Sequence, residues 1–140
     1  MHALHFNAPE SVDGWTAIDD RVMGGVSTSR MTFHPDGHAV FEGVVSIDNG
    51  GGFASVRHPE LRLGEVGTVG YRLQVRGDGK RYKFNLRMDA ALDGVNYQAL
   101  FQPPADRWVD LVLPLGVFSP RYRGQPVPNA PTLRPERVCQ

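Results

Sequence analysis

The feature that most constrains this chain is an apolar period of two, running almost throughout, with turn residues recurring every ~8 to 12 positions. That pattern belongs to an all-β sandwich or barrel, and helical periodicity is hard to find. It predicts strands at Trp15 to Asp19, Val26 to Phe33, Ala39 to Ser46, Gly52 to Arg57, Val69 to Arg76, Arg81 to Met88, Asn96 to Gln102 and Trp108 to Leu113. With 140 residues, 41% of them hydrophobic, no composition break and no internal repeat, the chain reads as one domain over residues 1–140.

Charge and cysteine usage narrow the function classes. Fifteen basic residues balance fifteen acidic ones, which argues against a protein whose main task is gripping nucleic acid by its phosphates. Cys139 is the lone cysteine and forms no internal disulfide, which fits a reducing, cytoplasmic setting. The first residues show no basic leader followed by an apolar run, and no stretch approaches the ~18 apolar residues of a membrane span. The expectation is a soluble protein that meets membranes only through a partner.

Three segments place glycines beside Asp, Asn, Ser, Arg or Lys: DDRVMGGVS at 19–27, DNGGGFASVR at 48–57 and RGDGKRY at 76–82. Glycine weakens a strand unless the backbone needs positive φ or a close approach, so these corners read as a built binding surface. Asp19 and Asp20 are adjacent on an extended segment and point to opposite sides, so they do not form a close acid and base pair. They are expected to brace the corner by pairing with Arg21, Arg57 or the amides of the Gly24-Gly25 turn. A carboxylate, a guanidinium and glycine amides at one rim also suit a sugar or a peptide backbone. Calcium ligation is weaker, since the oxygen donors are scattered. Asn49, Gly50, Gly51 and Gly52 read as a loop or bulge anchored by Phe53. A phosphate cradle there would need a following helix and a Lys.

Asp78-Gly79 has the composition of a type I′ hairpin turn. Placed at the turn, it pairs Val75 with Tyr82, Leu73 with Phe84, Tyr71 with Leu86 and Val69 with Met88, every pair apolar. The opposite face then gathers Arg72, Gln74, Arg76, Arg81, Lys83, Asn85, Arg87, Asn96, Gln98 and Gln102. That face is either solvated exterior or a recognition surface rich in directional donors. The candidate binding set is therefore Asp19, Asp20, Arg21, Gly24, Gly25, Ser27, Asn49, Gly51, Gly52, Ser55, Arg57, Arg72, Gln74, Asp78, Lys83, Asn85, Arg87 and Gln98.

Catalytic and metal chemistry find little support. His34 and His38 flank Pro35-Asp36-Gly37, a tight turn that brings the rings together, yet His2, His5 and His58 are not placed to add a third ligand. Ser27, Ser29 and Ser55 have no nucleophile-elbow context, and Cys139 has no defined His partner. No metal, cofactor or catalytic residue is assigned, and the chain is expected not to be an enzyme. Trp15 and Trp108 are expected to pack in the sandwich or over its edge.

The segments WTAIDDRVMGGVSTSR at 15–30, FEGVVSIDNGGGFASVR at 41–57, VRGDGKRYKFNLR at 75–87 and YQALF at 97–101, then the Trp108 to Leu113 strand with Pro114, Phe118 and Arg123-Gly124, carry a resemblance. In order, from Trp15 to about Arg134, they resemble the complex I intermediate-associated protein 30 family. The resemblance implies a jelly-roll β-sandwich of galactose-binding-like type. It also implies a non-catalytic assembly role, docking a protein partner such as respiratory-chain subunits or assembly intermediates. The alternative by superfold analogy is a carbohydrate-binding module. The family pattern continues past Val138 with further strands, so an open sheet edge is expected here, inviting strand addition by a second copy or another chain.

Overall fold

The computed structural model describes residues 3–20, 24–48, 52–90 and 94–140. Its regular structure is strand with short 3-10 turns, so the all-β class holds. The described residues divide into two compact units, 3–61 and 62–140. Arg21, Asn49 and Gly51 of the candidate set lie outside the described residues.

In the 3–61 unit, β1 (Thr16–Ala17) pairs antiparallel with β4 (Val56–Arg57), and β2 (Thr28–His34) with β3 (His38–Val44). The β2–β3 turn is Pro35-Asp36-Gly37, closed by the Gly37 amide on the His34 carbonyl at 2.9 Å. It sets His34 opposite His38, and the rings stack with centroids 4.5 Å apart. Trp15 packs between Phe6 and His58, at 6.0 and 5.6 Å between ring centroids.

In the 62–140 unit, β5 (Gly70–Arg76) pairs with β8 (Trp108–Pro114), and a second sheet runs β10 (Gln125–Pro126), β9 (Ser119–Tyr122), β7 (Asn96–Phe101), β6 (Tyr82–Leu86). The core of this sandwich is Tyr71, Leu86, Tyr97, Ala99, Leu113, Phe118 and Val138. Tyr71, Phe84 and Phe118 form a triangle of rings with centroids 5.9 to 6.1 Å apart, linking β5 of one sheet to β6 of the other. Each such ring buried contributes on the order of 1.5–3 kcal/mol. The Tyr71 hydroxyl donates to the Leu63 carbonyl at 2.8 Å and the Tyr97 hydroxyl to that of Pro131, so neither polar tip is stranded.

This arrangement corrects the expected hairpin. Gly79 takes a φ of 85° but Asp78 does not share the positive φ that a type I′ turn needs, and Asp78 Oδ1 instead accepts the Lys80 amide at 3.1 Å and the Tyr82 hydroxyl at 2.9 Å. The strands on either side, however, enter different sheets. Tyr71 pairs with Leu113 and Leu86 with Tyr97. Alternating apolar strands satisfy any antiparallel neighbour, so pattern alone does not select the partner.

The expected polar face is therefore split. Arg72, Gln74 and Arg76 stand on the outer face of β5, opposite Val112, Asp110 and Trp108 of β8. Trp108 is 45% exposed there, outside the core. Lys83, Asn85 and Gln98 are on the outer face of the second sheet. Just beyond β6, the Arg87 amide donates to the Gln140 carbonyl at 3.0 Å and the Arg87 carbonyl accepts from the Cys139 amide at 2.9 Å.

Candidate functional site

The two acidic residues of the first corner are anchors for the second. Asp20 has no exposed surface, and neither does Ser27. Asp20 Oδ1 accepts the Ser27 amide at 2.9 Å. Its Oδ2 accepts the Ser27 hydroxyl at 2.5 Å, the Gly52 amide at 2.7 Å and the Phe53 amide at 3.3 Å. Ser27 Oγ in turn accepts the Ser46 amide at 2.9 Å. One carboxylate thus ties together the entry to β2, the exit from β3 and the glycine run before β4.

Asp19 repeats the device. Its Oδ1 accepts the Ser29 hydroxyl at 2.5 Å and the Ser55 amide at 3.0 Å, while Oδ2 accepts the Ser29 amide at 3.1 Å. The Ser55 hydroxyl donates to the Ile18 carbonyl, and the Ile18 amide to the Ser55 carbonyl at 2.8 Å. Ser27 and Ser29, two apart on an extended strand, serve the two adjacent aspartates.

Donors to the two carboxylates among the described residues include Ser27, Ser29 and the amides of Gly52, Phe53 and Ser55, while Arg21 lies outside the described residues. The Gly25 amide goes to the Asp20 carbonyl at 2.9 Å rather than to the carboxylate. Gly25 is nonetheless required by space: a Cβ there would sit 2.4 Å from Asp20 Cγ. Gly24, exposed beside it, takes a φ of 82°.

The electrostatics suit an anchor better than a base. Burial raises the Asp20 pKa, but the bonds from Ser27, Gly52 and Phe53 together outweigh it and hold the carboxyl below its ordinary value of 3.8. A carboxylate accepting four hydrogen bonds and ionised well below neutrality is a poor proton acceptor at pH 7. Among the described residues, no group of three or more His, Cys, Asp or Glu is gathered where it could hold a metal ion.

Sequence reasoning missed what the anchored corner presents outward. Val26, Val45 and Ile47 flank the latched Ser27 and Ser46, Phe53 follows Gly52, and all four apolar side chains are exposed, Ile47 at 84%. The available signal was period two itself: with Ser27 and Ser46 turned in, their neighbours must turn out. These four apolar side chains are therefore outside the core.

The other candidates are divided between the two units. Arg57 is half-buried in β4 and Ser55 lies one residue before that strand. Asp78 and the third corner belong to the 62–140 unit. There Gln98 donates to Asn85 at 3.1 Å and stands opposite Ser119 of β9, a polar row across three strands, with Lys83 two residues from Asn85. Arg87 is corrected: expected on the outer face, it is only 3% exposed. Its guanidinium converges with Asp89 on Gly94, where an added Cβ would lie 2.8 Å from Arg87 Nη2 and 3.4 Å from both Asp89 oxygens. No helix among the described residues is long and apolar enough to cross a membrane.

Comparison with known proteins places this geometry in a family. Residues 4–140 match the family model described as Complex I intermediate-associated protein 30. An uncharacterized protein of Schizosaccharomyces pombe is 29% identical over 157 aligned residues, covering 96% of this chain and 70% of that protein. The mitochondrial Complex I intermediate-associated protein 30 of Drosophila melanogaster is 25% identical over 140 residues, covering 86% of this chain and 47% of its own length. The chain thus spans about half the fly protein. With the match running across nearly every described residue, both glycine corners included, the chain belongs to the Complex I intermediate-associated protein 30 family.

Proposed function

We propose that this chain is a non-catalytic binding module that docks a subunit or assembly intermediate of respiratory complex I. The observation that carries the reading is the exposed apolar rim of Val26, Val45, Ile47 and Phe53, held in place by the Asp20–Ser27 latch. Val26, Val45 and Ile47 offer nothing to a sugar hydroxyl, whereas they suit the apolar surface that an unassembled membrane-complex subunit presents. The family and the name of the fly relative supply the partner class.

Preorganisation supports the same reading. Loops fixed by buried charge-assisted hydrogen bonds lose little entropy on binding, so their apolar area converts to affinity more efficiently. The outer-face row of Asn85, Gln98 and Ser119, flanked by Lys83, is the second contact surface in this reading, supplying directional hydrogen bonds. The test is affinity capture of the tagged chain from membranes of its own cells, with bound proteins identified by mass spectrometry. Complex I subunits enriched over an unrelated β-sandwich control are the expected result. Their absence, with the tagged chain folded, overturns the reading.

A further inference from the structure

A cleft of about 360 Å³ in the 62–140 unit is lined by Met88, Pro131, Thr132, Arg134 and Arg137. Its cations come from one short element. Arg134 precedes the 3-10 turn Pro135–Arg137, and the Arg137 amide closes that turn on the Arg134 carbonyl at 2.9 Å. Arg134, extended at the cap of the turn, and Arg137, at its end, both line the cleft. Both are exposed. Among the described residues no side-chain hydrogen bond or ion pair engages either guanidinium, so the positive charge is not neutralised from within.

The rest of the cleft is fixed. Pro135 beneath the turn is buried and Val138 beyond it is in the core. The Arg134 amide meets Met88 Sδ at 3.3 Å, and Pro131 is held by the Tyr97 hydroxyl. The cleft therefore pairs two guanidiniums and the Thr132 hydroxyl with an apolar wall of Met88 and Pro131.

We propose that this cleft binds a phosphate monoester carrying a small apolar group. A phosphate monoester holds roughly −1.5 to −2 charge at neutral pH, which matches two arginines better than a single carboxylate does. Guanidinium forks meet its oxygens in bidentate pairs, and Thr132 adds a donor. The volume lies in the ordinary range for a small-molecule site. Phosphate binding here does not depend on the docking rim of the 3–61 unit.

The experiment is a titration of the full chain with phenyl phosphate and, separately, inorganic phosphate, followed by the Met88 methyl resonance and by calorimetry. Phenyl phosphate is expected to shift that resonance saturably and to bind more tightly than inorganic phosphate. Arg134→Ala with Arg137→Ala should weaken it by roughly tenfold or more, since both cationic partners of the phosphate oxygens are removed. Arg134→Lys with Arg137→Lys keeps the charge, guards against a folding defect, and should bind at intermediate strength. The proposal is overturned if phenyl phosphate leaves the Met88 methyl unmoved, or if the folded double-alanine variant binds as the wild type does.

Discussion

Asp20 Oδ2 lies 2.5 Å from Ser27 Oγ with both side chains sealed from solvent, and the same oxygen accepts the Gly52 amide at 2.7 Å, which joins the two glycine corners of the 3–61 unit. The short distance is that of a hydroxyl donating to an ionised carboxylate. Ser27→Ala should therefore lower stability by roughly 1.5–3 kcal/mol, the loss of one charge-assisted bond. Urea denaturation should show the midpoint falling while the slope stays constant.

The same contact gives a pH dependence with a definite sign. The folded pKa of Asp20 is depressed below 3.8, so its contribution is fully present above the unfolded value and is lost as pH falls through the folded one. Asp20→Asn should be destabilised relative to wild type at pH 7, with the gap closing below about pH 4. Urea midpoints measured across that range check it, and a gap that stays constant would remove Asp20 from the acid response.

Gly25→Ala forces a methyl to within 2.4 Å of Asp20 Cγ and should cost about 1–3 kcal/mol by overpacking. Gly116→Ala is the matched control, since an added Cβ there meets nothing within 4 Å. Thermal unfolding of the two variants should separate them clearly.

In the 62–140 unit, burial and then the bond to Asp78 push the Tyr82 hydroxyl up to about 12. Asp78→Ala should bring it part of the way back toward 10, leaving the burial contribution. Ultraviolet difference titration of the tyrosines measures the shift.

All eight expected strands are found, because period-two patterning reports which residues face a core regardless of which strands meet. What the pattern does not carry is partnership. The Tyr71 strand was legible, its pairing with Leu113 rather than Leu86 was not, and β9 and β10 went unread because their Pro120 and Pro126 break the alternation. At the corner, the two adjacent aspartates were legible as bracing residues. Their capture by Ser27, Ser29 and the 52–55 amides was not, since those bonds join residues up to 36 positions apart. Arg87 was misplaced because it lies one residue beyond β6, where alternation ends.

The most direct test of the docking rim is quantitative capture of complex I subunits by Val45→Asp with Ile47→Asp against wild type. Both side chains are exposed, so the double variant should keep its thermal midpoint while capture falls by roughly tenfold or more, a charge being costly in a desolvated apolar contact. Undiminished capture by the folded variant would contradict the account.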